Sequence, residues 1–198
     1  MRARRSPALV VGALAVLAST VTGCVPEPAS TPSASAIVSP EPTPTSDPPV
    51  ALPTECDEIY SADMLAELEA DVPPLDDPGI TMLSSQIVTA LETLDSGIPT
   101  LRCTWGPPSE RGIATNVSQI DDAQAASLRE ALLQEGFSEE EFDGGTIYRI
   151  RQETVAQDDA LVAMGEEHFI DGTHWVSTRW INAEIAGYTE DIVRTVWG

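Results

Sequence analysis

The sequence predicts an α+β domain, an antiparallel sheet of about five strands with helices packed mainly on one face. Three observations carry this expectation. Segments of alternating polarity come in neighbouring groups, at 101–117 and at 146–181, which favours hairpins over long crossovers. Asp171-Gly172, between two such segments, is a two-residue hairpin signal. Stretches with helical spacing and capping residues stand between the groups and at both ends of the domain.

The elements follow in order. Ser61 is placed to cap a helix running to about Asp71, with Met64, Leu65 and Leu68 as its apolar stripe and Tyr60 stapled onto Leu65. Pro73-Pro74 stops it, and 72–80 is a Pro/Asp/Gly loop. Leu83, Ile87, Leu91 and Leu94 have the spacing of a second helix over 83–95. Leu101, Cys103 and Trp105 alternate as in a half-buried strand, Gly106-Pro107-Pro108 turns the chain, and Ile113, Thr115 and Val117 continue the alternation. Asp121 with Gln124 is a capping box for a helix that turns Ala125, Leu128 and Leu132 inward. Gly136 suits its left-handed C-terminal position, and Phe137 can fold back on the last turn. Strands are expected at 146–152, 159–170 and 173–181, and a final helix at about 184–196.

Ahead of this domain the chain changes character. Arg2, Arg4 and Arg5 precede an apolar run from Ala8 to Val21, the parts of a secretory signal over 1–23. The run falls short of the roughly 18 apolar residues of a membrane span. Val21-Thr22-Gly23-Cys24 resembles a bacterial lipobox, with Val21 in place of the commoner Leu. The resemblance implies a diacylglycerol on the Cys24 thiol and cleavage before it, and hence anchoring on the outer face of the cytoplasmic membrane. Residues 24–54 then form a Pro/Ser/Thr-rich tether that cannot bury enough apolar surface to offset its ordering entropy. The domain is expected over 55–198.

Thirty-two Asp+Glu stand against ten basic residues, all arginine, for a formal net charge of −22. That argues against a nucleic acid partner, which needs clustered positive charge, and against adhesion of the domain to anionic lipid heads. The membrane is expected as a partner through the lipid anchor only.

With Cys24 lipidated, Cys56 and Cys103 remain as an even pair in an oxidising compartment, and a disulfide is the natural expectation. A metal site is the poorer alternative, since two distant thiols without a nearby His do not match zinc spacing. Cys56, the Leu-rich helix after it, and Cys103-Thr104-Trp105 resemble a family of actinobacterial lipoproteins of unknown function. The resemblance implies a cell-envelope protein and brings no reaction with it.

Chemical motifs are scarce. The chain has no nucleophile elbow, phosphate loop, dinucleotide fingerprint or zinc motif, so no cofactor is expected. Its two histidines, His168 and His174, fall on opposite faces of the terminal hairpin if the turn is Asp171-Gly172, with Phe169 opposite His174. Acidic stretches read as solvated surface. The candidate binding surface is His168, Trp175 and Arg179, which share one face of that hairpin; Trp and Arg are common anchors of interfaces. The expected function is a non-enzymatic binding or accessory module with an envelope protein, glycan or lipid as partner. An enzyme acting on envelope polymers through paired carboxylates is the alternative.

Overall fold

The computed structural model describes residues 51–156 and 158–198. The signal sequence, Cys24 and the tether up to residue 50 lie outside the described residues. Within them, a 3-10 turn (Cys56–Ile59) leads into α1 (Ala62–Asp71) and α2 (Val88–Asp95). Strands β1 (Thr100–Trp105) and β2 (Gly112–Gln119) precede α3 (Asp122–Gln134). Then come β3 (Ser138–Phe142), β4 (Gly145–Val155), β5 (Leu161–Asp171), β6 (His174–Ile181) and α4 (Tyr188–Trp197). One six-stranded sheet runs in the order β1-β2-β6-β5-β4-β3, and every neighbouring pair is antiparallel.

The expected fold class stands, with six strands instead of about five. The additional strand is β3, the sequence Ser-Glu-Glu-Glu-Phe, which pairs with β4 at the sheet edge. Its first four residues are exposed, so it shows no polar–apolar alternation for a sequence to reveal. The opposite edge, β1, is covered at its C-terminal end. Asp76 exchanges backbone and side-chain hydrogen bonds with Thr104, and Leu75 bridges Trp105, so the outer groups of Thr104 are met.

Apolar clusters lie on both faces of the sheet, each with helical residues in it. Met64 and Leu68 of α1 and Tyr188, Ile192 and Val193 of α4 gather with Ile113, Val117, Phe169, Val176 and Trp180. Ala90 of α2 and Ala125, Leu128 and Leu132 of α3 gather with Tyr148, Ile170 and Trp175. Phe169 and Ile170 are successive, as are Trp175 and Val176, so strand pleating sends them to opposite faces. On the first face the indole of Trp180 lies across Gly165, its partner in the ladder; a Cβ there would sit 2.4 Å from the ring.

Local chemistry explains the helix ends. Ser61 accepts a hydrogen bond from the Met64 amide at 3.3 Å, and Asp121 and Gln124 cap each other reciprocally at 2.8 and 2.9 Å. Gly136 takes φ of 86° after α3, and the Phe137 amide returns to the Leu132 carbonyl at 3.1 Å. Two helices start later than their spacing suggests. α2 begins at Val88 because Ser84, Ser85 and Gln86 are drawn into hydrogen bonds with the sheet, and Leu83 is left half-exposed. α4 begins at Tyr188, after Gly187 in the left-handed region.

Cys56 and Cys103 form a disulfide with Cα atoms 5.6 Å apart, joining the 3-10 turn to β1. Among the described residues no helix is long and apolar enough to cross a membrane.

Candidate functional site

The terminal hairpin positions every residue of the expected binding surface. Its register differs from expectation. The turn is Gly172-Thr173, because Asp171 accepts from the His174 amide at 3.0 Å and stays in the ladder opposite it. Phe169 therefore faces Val176, and His168 faces Ser177. Each partner moves by two positions, and a shift of two preserves the faces. His168, Trp175 and Arg179 share the α2/α3 face. His174 lies on the other, stacked on Trp197 at 4.5 Å between ring centroids.

Burial divides the trio. Trp175 and His168 are 0% exposed, which removes both from any exposed anchor. The cause is the second helical layer, α2 and α3, over this part of the face. Arg179 is half-buried.

The buried pair belongs to a hydrogen-bonded chain. Trp175 Nε1 donates to His168 Nδ1 at 3.1 Å, so that nitrogen carries no proton. His168 Nε2 then donates to Glu166 Oε1 at 2.8 Å. The Ser85 hydroxyl donates to the same oxygen, and the Gln86 amide donates to Oε2 at 3.0 Å. Burial pushes the Glu166 carboxyl up, but hydrogen bonds from His168, Ser85 and Gln86 outweigh it and hold the group below its ordinary range. A serine, a carboxylate and an imidazole thus meet, but in the wrong order for nucleophilic catalysis. The hydroxyl contacts the carboxylate instead of the imidazole, and Ser85 is 0% exposed. The chain is a structural network that pins the 84–87 segment to the sheet.

A second charged cluster lies elsewhere. Arg149 reaches Glu140 and Glu190 at 2.6 Å each and Glu167 at 3.5 Å. Burial raises the Glu167 carboxyl and Glu190 adds to the effect, against hydrogen bonding from Thr189 and attraction to Arg149. Both carboxylates of this pair are committed to Arg149, as a network joining β3, β4, β5 and α4. Among the described residues no group of three or more His, Cys, Asp or Glu is arranged to hold a metal ion.

Arg179 is different. Arg102 and Arg111 donate to carbonyls, Arg149 and Arg151 pair with carboxylates, and Arg194 covers the Phe142 ring. Among the described residues the Arg179 guanidinium makes no hydrogen bond or salt bridge; that of Arg129 on α3 shares this property, but Arg179 also lines a cavity. Burial lowers its pKa, and the field of Glu166 offsets part of that effect. Its cavity, about 200 Å³, lies between the 86–87 segment and β4, β5 and β6, with Gln86, Phe137, Ile150, Gln152 and Met164 in its walls. A second cavity of about 330 Å³ adjoins the same side chain, with Ile80, Pro107, Pro108 and Ile181 in its walls. Of the expected surface, then, Arg179 alone stands at a place a ligand can reach. Gln86 and Gln152, which line the smaller cavity with it, escaped sequence reasoning, since three separate segments bring them together.

No protein-family model, curated protein or solved structure matches this chain. Its site is read from geometry.

Proposed function

We propose that the chain is a membrane-anchored extracytoplasmic lipoprotein, held through Cys24 on the outer face of the cytoplasmic membrane. Its domain is a non-enzymatic binding module for an envelope protein, glycan or lipid that carries an anionic group. One observation carries the binding reading: a half-buried arginine, unpaired among the described residues, lines a cavity in a strongly acidic protein. A guanidinium partly withdrawn from water and without a hydrogen-bonded partner is incompletely satisfied, and an oxyanion of a ligand meets it through a forked pair of hydrogen bonds. The anchoring reading is supported by the lipobox-like Val21-Thr22-Gly23-Cys24.

Two measurements test it. Cys24→Ala is expected to move the protein from the membrane fraction to the medium or to leave an uncleaved precursor. Membrane retention with normal trimming would end the anchoring half. A photo-crosslinker in place of Gln152 is expected to capture an envelope component on intact cells, and Arg179→Gln to abolish that capture. Capture that persists in Arg179→Gln refutes the binding half.

A further inference from the structure

We infer that Arg179 receives a singly charged oxyanion borne in the middle of its ligand, with one arm of that ligand in the cavity on each side. This deepens the binding reading and rests on it.

The first argument is position. Arg179 lines both the cavity of about 200 Å³ and the cavity of about 330 Å³. A ligand with its charge at one end fills one cavity and leaves the other to water. A ligand with its charge between two arms uses both, with its oxygens on the guanidinium fork.

The second argument is charge. Arg179 supplies one positive charge where the two cavities meet, and Arg111, whose guanidinium is held by the Asp71 carbonyl, adds a second in the wall of the larger cavity. Glu166, whose carboxyl titrates low, acts on it from the paired position in β5 and is itself satisfied by three donors. Glu135 stands in the wall of the smaller cavity, and the whole chain carries −22. Such a place accepts one negative charge. A phosphate monoester, at about −1.5 to −2, carries more charge than the one guanidinium between the cavities offsets, with Glu135 and Glu166 beside it.

The third argument is the walls. Ile150 and Met164 on one side, and Ile80, Pro107, Pro108 and Ile181 on the other, suit carbon-rich arms, and Gln86 and Gln152 add amide groups beside the anion. A carboxylate on a branched carbon and a phosphodiester share this chemistry.

Isomeric probes separate the possibilities. Dipropylacetate and straight-chain octanoate have the same charge and carbon count but differ in where the charge sits. Dibutyl phosphate and octyl phosphate make a second pair, a singly charged diester against a monoester of about −1.5 to −2, in which the methyl shifts on both sides and not the affinity ratio decide the geometry. Titration calorimetry and methyl NMR are run on the full chain. At least one of dipropylacetate and dibutyl phosphate is expected to bind about tenfold tighter than its isomer. Its binding is expected to shift Met164 and Ile150 on one side and Ile80 and Ile181 on the other. The probe that binds names the source, a carboxylate or a diester. Arg179→Gln is expected to weaken binding at least tenfold and Arg179→Lys less. Equal binding of the two carboxylate isomers, or shifts confined to one cavity, overturns the two-armed geometry and leaves the anion reading standing. No binding by any probe, or binding unchanged in Arg179→Gln, overturns both. The isomer comparison uses the unaltered chain, so it decides the geometry even where a variant does not fold.

Discussion

The indole of Trp175 donates to His168 edge to edge, with the rings 10° from parallel and centroids 5.9 Å apart. The relationship fixes the imidazole tautomer, and the tautomer fixes which nitrogen reaches Glu166. An exposed aromatic anchor expected from sequence is thus the buried end of a polar chain.

Trp175→Phe keeps an aromatic ring but leaves His168 Nδ1 buried without a donor. An unsatisfied buried polar group costs about 1–3 kcal/mol. Urea unfolding is expected to show a loss of that order, without loss of fold. An unchanged midpoint would mean that the Nδ1 hydrogen bond contributes nothing.

Glu166 predicts an acid limb of stability. Its carboxyl is held below the ordinary range in the folded state, so folding is favoured where the group is ionised. That contribution is complete above the carboxylate pKa of the unfolded chain and is lost as pH falls through the lower folded value. Glu166→Gln should flatten this part of the stability–pH curve. Glu167, held high, contributes the opposite slope, so Glu167→Gln should steepen the acid loss. Unfolding free energies across the acid range check both signs, and identical curves for the two variants contradict them.

Two tyrosines predict the alkaline limb. Tyr60 and Tyr188 hydrogen-bond each other at 2.6 Å inside the α1/α4 layer, with Trp105 donating to Tyr60 at 3.0 Å. Burial is the main reason both phenols titrate well above their ordinary range. The folded state holds these protons where the unfolded chain releases them, so stability falls as pH rises past about 10. Phenolate absorbance from these two residues should appear together with unfolding. A separate earlier transition in Tyr188→Phe and Tyr60→Phe difference spectra would contradict this.

Breaking the Cys56–Cys103 link should cost roughly 4 kcal/mol on the loop-entropy scale for a separation of 47 residues. Paired alanine substitution followed by denaturant titration measures it. Peptide mapping without reductant should recover the two cysteines in one fragment pair.

What the sequence disclosed was mostly local. Ser61, Asp121 and Gly136 announce the ends of α1 and α3 because each cap is made within a few residues. The cysteine pair was legible because only one partner remained. β3 was hidden, since an edge strand with both faces in water has no alternation to show. The start of α2 was hidden because Ser84, Ser85 and Gln86 answer to β5 and β6, far away in sequence. Element order could not tell which face each helix takes, so Trp175 read as core or as surface. Arg179 was found by type and face. Its isolation was not legible, because that depends on where every nearby carboxylate is already engaged.

The disulfide also sets a load path. A pull on the chain ahead of Cys56 does not travel through α1, the 72–87 segment and α2 to reach the sheet. It crosses the covalent link at once and enters β1 at Cys103. The 47-residue interval is mechanically bypassed, including the Ser84–Gln86 stretch that borders the Arg179 cavity. A force applied ahead of Cys56 enters at the sheet edge, and the 86–87 wall of the smaller Arg179 cavity lies off that covalent path.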